Sequence, residues 1–336
     1  MRHLMTYLLS VLAALSMLPS CEGLGGDVSA DRVSVSFLVV GQGTKAAVGA
    51  HESDIASLDV LVYDAASGRA FAGGHSDGSI VTVEVTKGAT LTYFVVANAP
   101  EGAFTGCTTV TAFRTKLSFL QDNTSGTLVM VSGAGTKTFT EATDVSVELS
   151  RLCSKVVLGS VTPALRDAEE LSGASIVFDR AYLINVAGSC TFGLEPSADG
   201  LWYNKSVFDE GLDDTIADYL CSEAGISVTS SSTIETGYSF YCMPNPTDNG
   251  VNFATESVWS PRDTRLVLEF TVDGMKTWYP IDIPAMECNK CYLIRNLTIT
   301  RMGSHHPDIP VGNDTVQFTV EITEWGTNDI TDVVLQ

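Results

Sequence analysis

Basic residues are scarce in this sequence. Lysine and arginine together number 19 against 40 aspartates and glutamates, a net charge of −21. Such a surface repels phosphate backbones and anionic headgroups, so nucleic acid is excluded as a natural partner. Histidine is rarer still, at 5 residues, and none stands at motif spacing from a serine, cysteine or aspartate that would make it a general base. No glycine-rich phosphate loop and no basic aromatic stripe occur. Helical periodicity is confined to residues 108–121, with Phe113, Leu117 and Leu120 on one side, and to residues 164–171. Neither stretch is long enough to form the crossover layer of a parallel sheet. After Cys21 no apolar run is long enough to span a bilayer as a helix. What remains is a chain of 336 residues, 45% hydrophobic, which can bury the core of two ordinary domains.

The N-terminus reads as a targeting segment. Arg2 and His3 form a short basic end, and residues 4–18 are mostly apolar but short for a membrane span. Leu18-Pro19-Ser20-Cys21 then resembles a lipobox, with a small residue directly before the cysteine. On that reading residues 1–20 are removed, and the Cys21 thiol carries the fatty acyl groups that hold the protein at a membrane surface. The alternative is a plain signal peptide followed by an unrelated cysteine. Residues 21–31, rich in glycine and small side chains, are expected to be a flexible tether.

From there on, alternation dominates. Val33, Val35, Phe37 and Val39 alternate with Ser34, Ser36 and Leu38. Leu58, Val60 and Val62 repeat the pattern, as do Val81, Val83 and Val85, then Val145, Val147 and Leu149, and finally Val316, Phe318, Val320 and Ile322. Period two puts one face inward and one toward solvent. Short runs of this kind, separated by Gly, Asn and Asp, predict an all-β chain of antiparallel sandwiches. A boundary near Ser150 divides it into an N-terminal sandwich over residues 32–150 and a C-terminal one over residues 151–336. The acidic, Ser- and Gly-rich residues 197–232 read as a long loop region.

Three patterns invite a chemical reading, and each has a plainer one. Gly74-His75-Ser76-Asp77-Gly78 fits G-x-S-x-G, but a nucleophile elbow needs a helix after it and strand-like residues 80–85 follow instead. A hairpin turn is the expectation. Cys288-Asn289-Lys290-Cys291 lacks the second ligand pair of a zinc site and the helix of a redox motif, so structural thiols or a local disulfide are expected. Asp209, Glu210, Asp213 and Asp214 lack the spacing of a calcium loop and read as a solvated acidic loop. No catalytic residue, metal or cofactor follows from any of these.

Several phrases, in this order, resemble the fimbrillin family, the type V pilus subunits of Bacteroidales. They are ESDIASLDVLVYD at residues 52–64, YFVVANAP at 93–100, LVMVSG at 128–133 and VELSRLCSKV at 147–156. The second half adds FYCMPNPT at 240–247, TRLVLEFTVDG at 264–274, WYPIDI at 278–283, CYLIRNLTITRMGSHHPDIPV at 291–311 and Trp325 in VEITEW. The resemblance implies an outer-membrane lipoprotein of two β-sandwiches that supports adhesion as part of a fimbria. It further implies assembly by strand exchange. A protease cuts after the first strand, the strand leaves, and the C-terminal segment of another subunit fills the groove.

Carried onto this chain, the first strand is residues 33–40, and Val33, Val35, Phe37 and Val39 plug the groove. The family's arginine at the cut falls on Lys45, before Ala46. A pocket built for a planar guanidinium takes lysine poorly, so a different protease, a cut elsewhere or no cut at all stay open. An uncut subunit would suit the base of the pilus. The donor strand would come from residues 329–336, through Ile330, Val333 and Leu335; the plainer reading is an ordinary last strand. The expected partners are other pilus subunits, the outer membrane through lipid at Cys21, and a ligand on a host surface. The alternative is a non-polymerising surface lipoprotein that binds glycan or host protein, for which exposed aromatics at Trp202, Tyr203 and Trp259 would speak.

Overall fold

A computed structural model of the chain describes residues 31–40, 51–123, 127–165, 173–196, 200–207, 211–212, 216–229, 231–247, 259–312, 314–325 and 330–333. The chain begins with β1 (Arg32–Val39), β2 (Leu58–Asp64), β3 (Ala70–Ser76), β4 (Ile80–Thr86) and β5 (Thr90–Ala97). The one α-helix among the described residues, α1 (Val110–Arg114), precedes β6 (Leu117–Phe119), β7 (Met130–Ser132), β8 (Gly135–Thr138), β9 (Thr143–Val147) and β10 (Leu149–Arg151). The remaining strands are β11 (Ser154–Pro163), β12 (Ile176–Ile184), β13 (Val186–Ala187), β14 (Ser189–Thr191), β15 (Trp202–Tyr203), β16 (Ser206–Val207), β17 (Gly211–Leu212) and β18 (Cys221–Val228). They continue with β19 (Ile234–Cys242), β20 (Arg265–Val272), β21 (Met275–Asp282), β22 (Lys290–Ile299), β23 (Val316–Glu324) and β24 (Ile330–Val333).

Nine of the first ten strands, all but β6, build one sandwich. A three-stranded sheet in the order β4-β1-β9 faces a six-stranded sheet in the order β10-β7-β5-β2-β3, with β8 joined to β5. Between them lie Val35 and Phe37 of β1, Val81, Val83 and Val85 of β4, and Leu58, Val60 and Val62 of β2. The alternation in the sequence is this packing: every second side chain leaves water, and each one fully buried is stabilised by about 1.5–3 kcal/mol. Strand β5 departs from it, because the far face of the six-stranded sheet is covered as well. Phe94, Val95, Val96 and Ala97 are all buried; Val95 and Ala97 face the sandwich, while Phe94 and Val96 join a second core with Phe113, Leu120 and Val131. Gly135 lies across from Tyr93, and a Cβ there would come within 2.1 Å of the Tyr93 ring, so the glycine makes room for that ring.

The second sandwich pairs a five-stranded sheet, β19-β11-β22-β23-β24, with a four-stranded one, β18-β12-β20-β21. Its core holds Val156, Leu158, Phe178, Phe240, Leu268, Phe270 and Ile294, with Phe178 stacked on Phe270 at 4.8 Å. That core is continuous with the covered face of the first sandwich. A short ladder between β6 and β14 ties the two halves together through their backbones.

The expectation of an all-β chain of two tandem antiparallel sandwiches holds, with two local exceptions among the described residues. β1 runs parallel to β9, and β11 runs parallel to β22. Each of these strands also has an antiparallel neighbour on its other side, β4 for β1 and β19 for β11. The first strand of each sandwich is thus held in the same way.

Other expectations are corrected. The helix predicted over residues 108–121 stops at Arg114, after a start capped by the Thr109 side chain on the Ala112 amide at 3.1 Å. Leu117–Phe119 is drawn instead into the ladder with β14, and only Leu120–Asp122 turns again, as a 3-10 turn. The turn after Gly74-His75-Ser76 is not a hairpin: β3 and β4 belong to different sheets, so the chain arches over the sandwich edge. Residues 197–232 hold more than loop. They include β18, an edge strand with no fully buried residue and a register shift against β12, so no period-two pattern marks it. The second expected helix, over residues 164–171, lies for the most part outside the described residues.

Candidate functional site

Strand β1 occupies a slot between two others. It is paired antiparallel with β4 from Arg32 opposite Thr86 to Leu38 opposite Ile80, and parallel with β9 from Val35 opposite Thr143 to Val39 opposite Val147. The sequence RVSVSFLV suits this place. Val35 and Phe37 are 0% exposed between the sheets, and Val33 and Val39 pack half-buried at the two ends. On the outer face Ser36 shares a hydrogen bond with Thr82 at 3.0 Å, and Ser34 donates to Glu84. The Phe37 ring lies 5.0 Å from that of Tyr93 on the facing sheet.

Taking β1 away would uncover two hydrogen-bonding edges, β4 and β9, about 10 Å apart by the usual strand spacing. It would also uncover the apolar floor beneath Val35 and Phe37. Unpaired edges over an apolar trough are a template for another strand. An emptied slot would offer a ladder on each side and pockets at alternate positions.

The tail is placed differently. Ile330–Val333 forms β24 at the edge of the five-stranded sheet, paired with β23 from Thr323 opposite Ile330 to Val320 opposite Val333. Among the described residues it is laddered on one side only. Leu335 lies outside the described residues, as do Cys21, Lys45 and Ala46.

A group that the alternation pattern does not reveal lies just past residues 41–50. Glu52 is 2% exposed, and its carboxylate accepts hydrogen bonds from Lys155 Nζ at 2.6 Å, Tyr241 OH at 2.6 Å and Trp325 Nε1 at 3.1 Å. Its backbone carbonyl accepts two more from Arg151, at 3.2 and 3.1 Å. Burial pushes the Arg151 guanidinium below its ordinary pKa. The only sequence hint is that charges interrupt otherwise apolar runs, as Arg151 and Lys155 do on either side of Leu152-Cys153-Ser154.

Of the remaining sequence candidates, Asp209, Glu210, Asp213 and Asp214 lie outside the described residues, and the others are placed as follows. His75 hydrogen-bonds Asp59 at 2.9 Å and approaches Asp77 at 3.4 Å. The Asp59 hydrogen bond raises its pKa. It lines an open cleft of about 580 Å³ with Ser57, Glu101 and Phe104, and Ser76 is not part of that lining. Cys288 and Cys291 are free thiols; Cys291 is buried in β22 and Cys288 lies in the turn before it. Trp202 and Trp259 do come together, at 5.2 Å. The Trp259 ring is already engaged by Lys205 at 5.1 Å and Arg262 at 5.9 Å, and its Nε1 donates to Asn185 at 3.0 Å.

Comparison with known proteins bears out the resemblance drawn from the sequence. Residues 32–158 match the family described as major fimbrial subunit protein (FimA). No curated protein matches the chain. Among solved structures, a fimbrilin from Porphyromonas gingivalis superposes with a TM-score of 0.63 at 17% identity, over 90% of this chain and 99% of the other. A protein from Bacteroides eggerthii, provisionally assigned to cell adhesion, gives 0.65 at 18% identity over 90% and 98%. Another with that assignment, from Parabacteroides distasonis, gives 0.63 at 17% over 88% and 98%. At these identities the likeness is one of fold.

Proposed function

We propose that this chain, whose residues 32–158 match the fimbrial-subunit family, is a structural subunit of a cell-surface pilus and joins its neighbours by exchanging β-strands. The observation that carries this reading is the unequal hold on the two ends of the chain. β1 has a ladder on both sides, seven register pairs with β4 and five with β9. β24 has one ladder of four pairs. A tail strand that leaves its own edge and enters the vacated slot of another subunit exchanges one ladder for two. It also covers the apolar trough that Val33, Val35, Phe37 and Val39 would leave behind. The exchange therefore runs downhill once β1 has gone, and the same step repeats along a fibre.

Export and anchoring complete the reading. Residues 1–20 act as the leader, and lipid on Cys21 holds the subunit at the outer membrane. Lys45 decides its later fate. Cut between Lys45 and Ala46, the subunit loses its lipid and β1 together and becomes part of the shaft. Uncut, it keeps both, remains at the membrane as the base and still offers its tail. The glycan-binding alternative draws on Trp202, Tyr203 and Trp259, but the contacts of the Trp259 ring with Lys205, Arg262 and Trp202 account for that cluster without a ligand.

Mass spectrometry of the protein recovered from surface fibres tests this. A mature end at Ala46 supports a shaft subunit, and a lipidated Cys21 supports an anchor. Recovery of the protein only as a monomer, absent from fibres, overturns the proposal.

A further inference from the structure

Glu52 joins parts of the chain that sequence keeps far apart. Its carboxylate takes Lys155 Nζ and Tyr241 OH on Oε1, and Trp325 Nε1 on Oε2. Arg151 closes the group: it donates to the Glu52 carbonyl, to Ser53 Oγ at 3.0 Å and to the Trp325 carbonyl at 3.2 Å. The Arg151 guanidinium lies 4.8 Å from the centre of the Trp325 ring, and Tyr241 stacks on that ring at 5.7 Å with 10° between planes. Arg151, Lys155 and Tyr241 come from β10, β11 and β19, strands of the sandwich bodies. Glu52 and Ser53 begin the chain between the segment that follows β1 and strand β2. Trp325 directly follows β23 and leads toward β24.

We propose that Glu52 is a positioning residue at which the replaceable ends of the chain join its permanent body, and that through Trp325 it couples the hold on the chain behind β1 to the hold on the tail strand. The biological meaning of this coupling rests on the strand-exchange reading; its geometry does not. Three charged groups, Glu52, Arg151 and Lys155, are 5% exposed or less. In such surroundings a polar network is favourable when complete and worse than an apolar filling when half satisfied. It therefore tends to form or open as a unit. Drawing Trp325 away takes the donor from Oε2 and the acceptor from Arg151, so the anchorage of Glu52 and Ser53 weakens with it. Linkage is reciprocal: whatever loosens residues 52–53 loosens Trp325 by the same free energy. A subunit whose first strand is leaving would thereby release its tail more readily, and a seated tail would keep the chain behind β1 in place.

Hydrogen exchange on the full chain tests this, with Trp325→Phe as the main variant. Phenylalanine keeps a ring for Tyr241 and Arg151 and removes the Nε1 donor with part of the ring volume, so the variant should fold even where Glu52→Gln does not. The expected result is faster exchange in peptides covering residues 51–57 and 330–333 by a common factor, about 5- to 150-fold. Asp308→Asn, in the separate buried cluster with Arg262 and Arg265, should leave the ratio of those two peptides to each other unchanged. Acceleration at 330–333 with residues 51–57 at the wild-type rate overturns the coupling. So does an equal acceleration through β20 and β21, which would mean general loss of stability, or a tail already unprotected in the wild type. Coupling without fibres would sink the assembly reading alone; fibres without coupling would sink this inference alone.

Discussion

Phe37 and Tyr93 meet across the interior of the N-terminal sandwich, ring centroids 5.0 Å apart and planes tilted by 59°. Phe37 belongs to the strand proposed to leave, and Tyr93 to the sheet that stays. Tyr93 also rests against Phe139 at 6.4 Å and covers Gly135. Under the proposed exchange, the contact joins the departing strand to the floor of its slot, and a strand that replaces β1 must supply an apolar group of comparable size at this point.

Phe37→Ala should destabilise the chain by about 3–5 kcal/mol, because it empties a fully buried site in a floor that is braced from below. Ser36→Ala, on the outer face of the same strand, should change stability by no more than about 0.5 kcal/mol. Urea denaturation of both variants checks this. Equal effects would mean that β1 does not plug the sandwich as described.

Lys45→Arg should make the chain a better substrate for an arginine-specific protease, since arginine presents the planar fork that such a pocket recognises. The expected product begins at Ala46. The wild-type chain should resist the same protease at this bond. Rapid cutting of the wild type there would remove the argument for an anchor.

Lys155→Met should cost about 3–5 kcal/mol, because it leaves the Glu52 carboxylate buried beside fewer donors. Combining it with Glu52→Gln should cost clearly less than the two single changes summed, since the second change removes the charge that the first one strands. A double-mutant cycle by chemical denaturation gives the coupling directly. Simple additivity would show that the pair does not act as one unit.

Glu269 gives the acid side of the stability profile a defined sign. Burial alone would raise its pKa, but hydrogen bonds from Lys276 and Arg180 more than reverse this and hold it below the ordinary value of 4.5. A carboxylate with a lowered folded pKa contributes stability that is present above its unfolded value. That stability is lost as pH falls through the folded one. Below about pH 4.5 the wild type should therefore lose stability with a steeper slope than Glu269→Gln. Parallel slopes in denaturant titrations would contradict the assignment.

Much of the fold can be read from the sequence where one face of a strand meets water. β1 and β4 show this plainly, with buried valines alternating with serine, threonine and glutamate. The rule fails where both faces are covered. In β20, Arg265 to Phe270 are buried without a break, because Arg265 is paired with Asp308 and Asp282, and Glu269 with Arg180 and Lys276. The two parallel pairings leave no mark on local pattern, since direction is set by how distant strands meet. The inward residues of β1 are legible for the same reason as the strand itself. The Glu52 group was not: its members stand at 52, 151, 155, 241 and 325, and only the closed fold brings them together.

The account depends most on the claim that the tail of this chain is lent to another subunit. Deleting residues 329–336 and examining surface fibres by electron microscopy tests that claim in the shaft and anchor cases alike. The predicted result is a folded, exported protein that no longer enters fibres. Fibres that incorporate the shortened protein at the normal level would show that β24 is an ordinary last strand, and would contradict the account.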